Sequence, residues 1–308
     1  MQSGLPDSRC LEFYRERSKH GLHCAIVGNV VTPNGVGTNG VCSKISVDSA
    51  WRNLAEAINE QGALAGIQLS STWPGYQGIR KFVPKSPDDE IAAYKKLGQS
   101  LTEKEVIDAF DSLRRGTELA INAGFRHVQL HAAHGYLFNM LIDRRFSFHA
   151  DYCLKAIEAW ATDLRSIKVE TSLRFSMQTG HTGLDNAYGT QFTDEIGLLP
   201  VDYLDASVGF YNINKRLIYP STSEILARRV EATLAMAQQN PTANLILSGM
   251  SSRAWDSQLP SNVHIGICRD LIANPDFLRD RTNGCKCCMK CHYFSRGESY
   301  LTCGRWQS

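Results

Sequence analysis

Two kinds of apolar pattern alternate along this chain. Short, mostly apolar runs bounded by Gly, Asn, Asp or Pro lie between longer segments whose apolar positions recur every three or four residues. The short runs predict β-strands at residues 24–31, 63–69, 127–131, 168–175, 203–207, 244–247 and 262–267. The longer segments predict helices at residues 7–17, 48–61, 102–122, 152–166, 193–199 and 222–239, and the last strand leads into residues 270–278. Asp7 or Ser8 caps the first helix and Gly62 closes the second, while Thr102-Glu103-Lys104-Glu105 spells a capping box. Residues 70–98 carry aromatics, Pro and Gly and read as a long loop over a cleft.

Strands alternating with helices at this spacing imply a parallel sheet covered by helices. The count is seven strands, and the chain opens on a helix. A closed (β/α)8 barrel needs eight strands, each followed by its helix, so residues 7–17 read as a first helix deprived of its strand. An open doubly wound sheet tolerates seven strands, but it usually carries a Gly-rich phosphate turn after the first one. The segment from Val30 to Gly37 lacks the Gly-x-Gly-x-x-Gly spacing, which favours an α/β barrel of the TIM type.

Composition narrows the partners. Among 308 residues, 33 are Lys or Arg and 31 Asp or Glu, so no charge bias points to nucleic acid, and small neutral or mildly charged molecules are favoured. No window reaches the roughly 18 apolar residues of a membrane span, and the first ten residues lack the features of a signal peptide. The expectation is a cytoplasmic protein with no membrane partner. Five of the ten cysteines fall between Cys285 and Cys303, and such crowding in a reducing compartment indicates a metal site. Residues 1–280 are therefore expected to form the barrel, with residues 281–308 as a Cys-rich segment packed on it.

The densest chemistry follows the strand at 127–131. His131 ends an apolar run, and His134 and Tyr136 follow at once, which sends three hydrogen-bonding side chains out of one strand end. His131-Ala132-Ala133-His134-Gly135-Tyr136-Leu137 resembles the His-x-x-His-Gly-Tyr-Leu segment of the Old Yellow Enzyme family of FMN-dependent oxidoreductases. The resemblance extends over most of the chain. Gly66-Ile67-Gln68-Leu69 is similar to the family's third strand, and Ser172-Leu173-Arg174-Phe175-Ser176 to its fifth. Ser248-Gly249-Met250 and the stretch from Gly266 through Arg269 are similar to its two phosphate-binding segments. The resemblance implies FMN, with Gln68 and Arg174 at the flavin ring and Gly249, Gly266 and Arg269 at the phosphate. It also implies that His131 and His134 hold a substrate carbonyl while Tyr136 delivers a proton, in the reduction of an activated C=C bond of an unsaturated carbonyl compound. An Arg beside a reduced flavin and a fork of donors on a phosphate dianion make physical sense of those roles.

Cys285, Cys288, Cys291 and Cys303 give Cys-x2-Cys-x2-Cys-x11-Cys, a loop able to direct three thiolates at one cluster face with a fourth from downstream, and Cys287 is left over. Four thiolates also suit zinc. Similarity to the cluster-bearing branch of the family, that of 2,4-dienoyl-CoA reductase and trimethylamine dehydrogenase, implies a [4Fe-4S] cluster. In that branch further domains carry electrons, and here the sequence ends five residues after Cys303, so a separate electron donor or reductase is expected. A second copy or a partner chain is expected at the place of the missing strand, unless residues 1–10 cover it.

Three departures bear on the flavin site. Gln68-Leu69 is followed by Ser70-Ser71-Thr72-Trp73-Pro74, without the family's His and Arg. Cys268 replaces the Gly before Arg269, and residues 143–149 replace a longer lid motif. A rival expectation follows, that of a relative without flavin turnover that serves as a binding or assembly protein with a structural metal site.

Overall fold

In the computed structural model, which describes residues 4–78, 86–220, 222–255, 258–293 and 296–306, strands and helices alternate along nearly the whole chain. The strands are β1 (Cys24–Val31), β2 (Leu64–Ser70), β3 (His127–Ala132), β4 (Glu170–Ser176), β5 (Tyr203–Ser207), β6 (Leu245–Ser248) and β7 (Val263–Gly266). The helices are α1 (Ser8–Arg17), α2 (Ser49–Asn59), α3 (Pro87–Ser100), α4 (Glu103–Asn122), α5 (Leu137–Leu141), α6 (Ala150–Ser166), α7 (Thr182–Gly197), α8 (Lys215–Ile218), α9 (Ser223–Gln239), α10 (Arg269–Ala273) and α11 (Phe277–Asp280). None is long and apolar enough to cross a membrane.

The seven strands pair in parallel throughout, in the order β1-β2-β3-β4-β5-β6-β7. A doubly wound sheet reverses its order at a switch point; this one never does, which is barrel winding. Among the described residues β1 pairs along its length only with β2, and β7 only with β6, so the curled sheet stays open where the expected first strand is missing.

Residue alternation sorts the two faces. On β3 Val128, Leu130 and Ala132 join Ile67, Leu69, Leu173, Phe175, Leu204 and Leu247 in the core beneath the helices. The other set, His127, Gln129 and His131, shares the opposite face with Gln68, Arg174 and Asp205. The strands are buried on both faces, yet their inner face is polar and hydrogen-bonded. The capping box of α4 is present, with Thr102 and Glu105 exchanging bonds.

The structure corrects two expectations about loops. Within residues 70–98, Ser86 caps helix α3, Pro87 sits in its first turn and Asp88, Asp89 and Glu90 follow, while residues 79–85 lie outside the described residues. Helix α7 begins at Thr182, about three turns before the expected 193, because the His181 ring accepts from the Leu184 amide and opens it early.

Among the described residues the open side is bridged by α1, which takes in residues 8–10 of the expected cover, and by the turn that follows it. The Tyr14 hydroxyl lies against the Gly28 amide of β1. Arg17 donates to the Leu271 carbonyl at 2.9 Å, and His20 meets Asp276 at 2.8 Å. Residues 43–45 add a short pairing to the outer edge of β1, where the Val31 amide donates to the Ser43 carbonyl at 2.8 Å and Ile45 returns a bond at 3.1 Å. Residues 1–3 lie outside the described residues.

Candidate active site at the strand ends

After β3 the backbone turns through two left-handed residues, His134 (φ 63°) and Gly135 (φ 76°), and Tyr136 then stands at the start of α5. The Gly135 position is tight as well, since a Cβ there would lie 2.8 Å from the Tyr94 hydroxyl. The turn gathers the three expected side chains, with the His131 ring 4.9 Å from Tyr136 and 5.6 Å from His134. All three are buried.

The two histidines are not equivalent. His134 Nδ1 faces the Gly209 carbonyl at 2.9 Å, which places the proton on Nδ1, and Ser207 Oγ lies 3.4 Å from Nε2. Both ring nitrogens of His134 are thus engaged by the protein. His131 Nδ1 accepts from the Ala133 amide at 3.3 Å, which leaves the proton on Nε2, and Nε2 has no partner among the described residues. Burial first and the charge of Arg174 second pull the His131 pKa down to about 3 and that of His134 well below its ordinary value. Both are neutral near pH 7, and His131 alone holds a free N–H.

Burial pushes the Tyr136 hydroxyl well above its ordinary pKa, so it keeps its proton. Its ring meets Tyr76 edge-on at 5.5 Å, and Tyr76 packs on Trp73 at 4.8 Å. Tyr211, whose amide donates to the His134 carbonyl at 3.0 Å, and Tyr219 come from the loop after β5. The loops after β2 and β5 therefore build an aromatic wall around His131 and Tyr136.

Gln68 and Arg174 belong to one network across the inner face. Gln68 donates to Gln129, Gln129 donates to Ser172 and to Asp205 at 3.0 and 3.3 Å, and Arg174 meets Asp205 at 2.8 Å. Ser248 Oγ also donates to Asp205, at 2.6 Å. The charge of Arg174, expected to serve a flavin, is thus shared with a buried carboxylate. Asp205 and Gln129 escaped the sequence reading. An acidic residue inside the apolar run Tyr203–Ser207 was the available signal.

The carboxyl ends of β6 and β7 gather positive charge. Gly249 takes φ 86° and Met250 follows at φ 62°, a turn so near the Arg229 guanidinium of α9 that a Cβ at Gly249 would clash with its Nη1. A Cβ at Gly266 would lie 2.6 Å from Ser248 Oγ. Arg269 donates to the Pro220 carbonyl at 3.3 Å, and beside Gly249 lies the fully buried Arg229 of α9. Among the described residues neither has a carboxylate within 4 Å. A glycine turn backed by guanidinium groups without acidic partners fits a bound anion such as a phosphate monoester.

The Cys-rich segment docks next to this end. The Cys285 amide donates to Asp270 at 2.7 Å, and Trp306 Nε1 donates to the Ile272 carbonyl at 2.8 Å. Cys287 (φ 56°) and Met289 (φ 58°) are left-handed, and backbone amides turn toward sulfur. Cys287 N lies 3.2 Å from Cys285 Sγ and Arg305 N lies 3.5 Å from Cys303 Sγ, while amides of Lys290 and Gly304 hold the Cys288 thiol below its ordinary pKa. None of the described cysteines forms a disulfide, and among the described residues no group of three or more His, Cys, Asp or Glu is gathered to hold a metal ion. The donor set and its amide environment suit thiolate ligation in chemistry.

A model of the family described as NADH:flavin oxidoreductase / NADH oxidase matches residues 2–286. The putative 12-oxophytodienoate reductase 2 of Oryza sativa subsp. japonica is 28% identical over 151 residues, covering 45% of this chain and 40% of that protein. The chain thus matches less than half the length of that relative. 2-Naphthoyl-CoA reductase, in complex with 2-naphthoyl-CoA, superposes with a TM-score of 0.75 at 14% identity, covering 98% of this chain and 52% of that one. The Old Yellow Enzyme homologue from Zymomonas mobilis superposes with a TM-score of 0.59 at 17% identity, over 98% and 86% of the two chains. At such identities these superpositions speak to the fold alone.

Proposed function

The chain belongs to the NADH:flavin oxidoreductase / NADH oxidase family, and from that premise we propose that it binds FMN at the strand ends and reduces an activated C=C bond of a small unsaturated carbonyl compound. The observation that carries this reading is the free Nε2–H of His131 beside the protonated hydroxyl of Tyr136, both in one aromatic cleft. When bound, FMN supplies the hydride. His131 donates to the substrate carbonyl and polarises the double bond, and the engaged His134 fixes the turn that aims it. Tyr136 provides the proton for the α-carbon. Gln68 and Arg174 serve the flavin ring, and Gly249, Gly266 and Arg269 serve its phosphate.

Cys285, Cys288, Cys291 and Cys303 are the ligands we assign to a [4Fe-4S] cluster, supported by their spacing and by the amides turned toward their sulfurs. Electrons then come from a separate donor, and a second copy or a partner chain completes the open side. The Arg174–Asp205 pair favours a second reading, because a ring-binding Arg already neutralised is weaker toward flavin. That reading is a binding or assembly protein whose Cys-rich tail is a structural metal staple.

One preparation separates the two. Protein isolated without air is expected to show flavin absorbance, iron and sulfide, and, once reduced, to be reoxidised by an α,β-unsaturated cyclic ketone. Stoichiometric zinc, no flavin uptake from added FMN and no reoxidation would leave only the second reading.

A further inference from the structure

Among the described residues Arg229 is the largest charged side chain that is fully buried, and its sequence context gave it no role. It extends from α9 under the end of β6, fully buried, and donates from Nη1 to the Ser248 carbonyl at 3.0 Å and from Nη2 to the Leu217 carbonyl at 2.5 Å. Its Nε has no partner. Burying a guanidinium against carbonyls alone is costly, and a neutral donor would hold two carbonyls equally well. Its partners therefore do not explain the charge.

The surroundings do. Arg174 and Arg269 lie within electrostatic reach of Arg229, and Asp205, already paired with Arg174, is the carboxylate whose charge opposes them there. The guanidinium groups outnumber the carboxylates there and leave an excess of positive charge. Burial and Arg174 bring the Arg229 pKa down to about 9, so it stays charged at neutral pH. Gly249 is the residue whose missing Cβ lets the guanidinium reach the turn at the end of β6.

We propose that Arg229 is a positioning and charge-supplying residue for a dianionic phosphate monoester, setting the Ser248-Gly249-Met250 turn from behind and selecting FMN over flavins without that phosphate. The proposal rests on the FMN reading above. Arg269 would hold the anion directly, and Arg229 would offset its second charge from within the fold.

Full-length protein stripped of flavin is titrated with FMN and with riboflavin, following flavin fluorescence, for wild type, Arg229→Gln and Arg229→Lys. Gln keeps a donor for the carbonyls and removes the charge; Lys keeps the charge and loses the fork. The expected result is a fall of about ten- to a hundredfold in the FMN-to-riboflavin affinity ratio for Gln, with riboflavin affinity nearly unchanged and the ratio mostly kept by Lys. An unchanged ratio in folded Arg229→Gln, or equal losses for both flavins in both variants, overturns the proposal. If Gln does not fold, Lys decides, since a ratio lost in folded Arg229→Lys overturns it and a ratio kept supports it. Wild type binding neither flavin refutes the FMN reading instead. In that case thermal stabilisation by inorganic phosphate, present in wild type and lost in Arg229→Gln, still supports an anion role for Arg229, and equal stabilisation of both overturns it.

Discussion

The middle of the sheet and its open edges are held by different means. From β2 to β6 each strand is paired on both sides, and the inner face adds a chain of side-chain bonds from Gln68 through Gln129 and Asp205 to Arg174 and Ser248. On the open side α1 and the turn after it reach β1 through Tyr14 and the segment after β7 through Arg17 and His20, one side chain at a time. Ladder bonds form as a cooperative set, whereas single side-chain bridges on a half-exposed helix contribute separately. The proposed chemistry sits on the cooperative part, and the open side is where local opening is expected first.

The sharpest way to test that division is to remove one oxygen from the middle. Tyr136→Phe is expected to leave folding and ligand affinity nearly unchanged while slowing reoxidation of reduced protein by an unsaturated ketone by roughly 10²- to 10⁴-fold. Turnover equal to wild type would take the proton donor out of the middle. The next change strikes the network itself. Asp205→Asn leaves Arg174 without its carboxylate and weakens the bonds from Ser248 and Gln129, and since Arg174 keeps partial access to water the loss is expected near 2–3 kcal/mol by urea unfolding. The same variant frees Arg174, so flavin binding is expected to tighten even as stability falls.

Much of the middle was readable because its signals are local. A short apolar run marked β3, and the joint placement of His131, His134 and Tyr136 at one strand end marked the cleft. What escaped depends on distant contacts. Nothing in the residues around Arg229 says that Gly249 lies behind it, and nothing near Arg174 says that Asp205, 31 residues on, neutralises it. The different duties of His131 and His134 depend on the Gly209 carbonyl, 75 residues from His134. Helix α3 is a different failure. Ser86-Pro87-Asp88-Asp89-Glu90 carried a full helix-start signal, outweighed in the reading by the aromatic and Pro residues before it.

The open side makes a smaller demand on stability. Arg17→Ala removes the bond to the Leu271 carbonyl and the stacking of the guanidinium 4.0 Å over Phe13, and an expected loss of about 1–2 kcal/mol follows. Native-state hydrogen exchange is expected to speed at β1 and β7 amides while those of β3 and β4 hold. Uniform acceleration across all seven strands would show that edges and middle open as one unit and erase the comparison.

The smallest effect lies at the foot of the barrel, where the two regions meet. Glu170 Oε2 lies 3.1 Å from His23 Nε2, just before β1, and 3.1 Å from His127 Nδ1 at the start of β3, with Tyr203 packed on both rings. The bond to His127, and next that to His23, hold the Glu170 carboxyl below its ordinary value of 4.5, against an opposing effect of burial. A carboxyl with a lowered folded pKa adds stability that is complete above the unfolded value and fades as pH falls through the folded one. The contribution is therefore expected to be present above about pH 4.5 and lost below it. The group is half open to water and screened, so the expected size is under about 1 kcal/mol. Glu170→Gln tests this directly. Its stability difference from wild type is expected to be constant near neutrality and to shrink below pH 4.5, with β1 amides protected less in the variant. A difference that grows as the pH falls would mean that the carboxyl is not held low by the two histidines and that this corner does not tie the open edge to the middle.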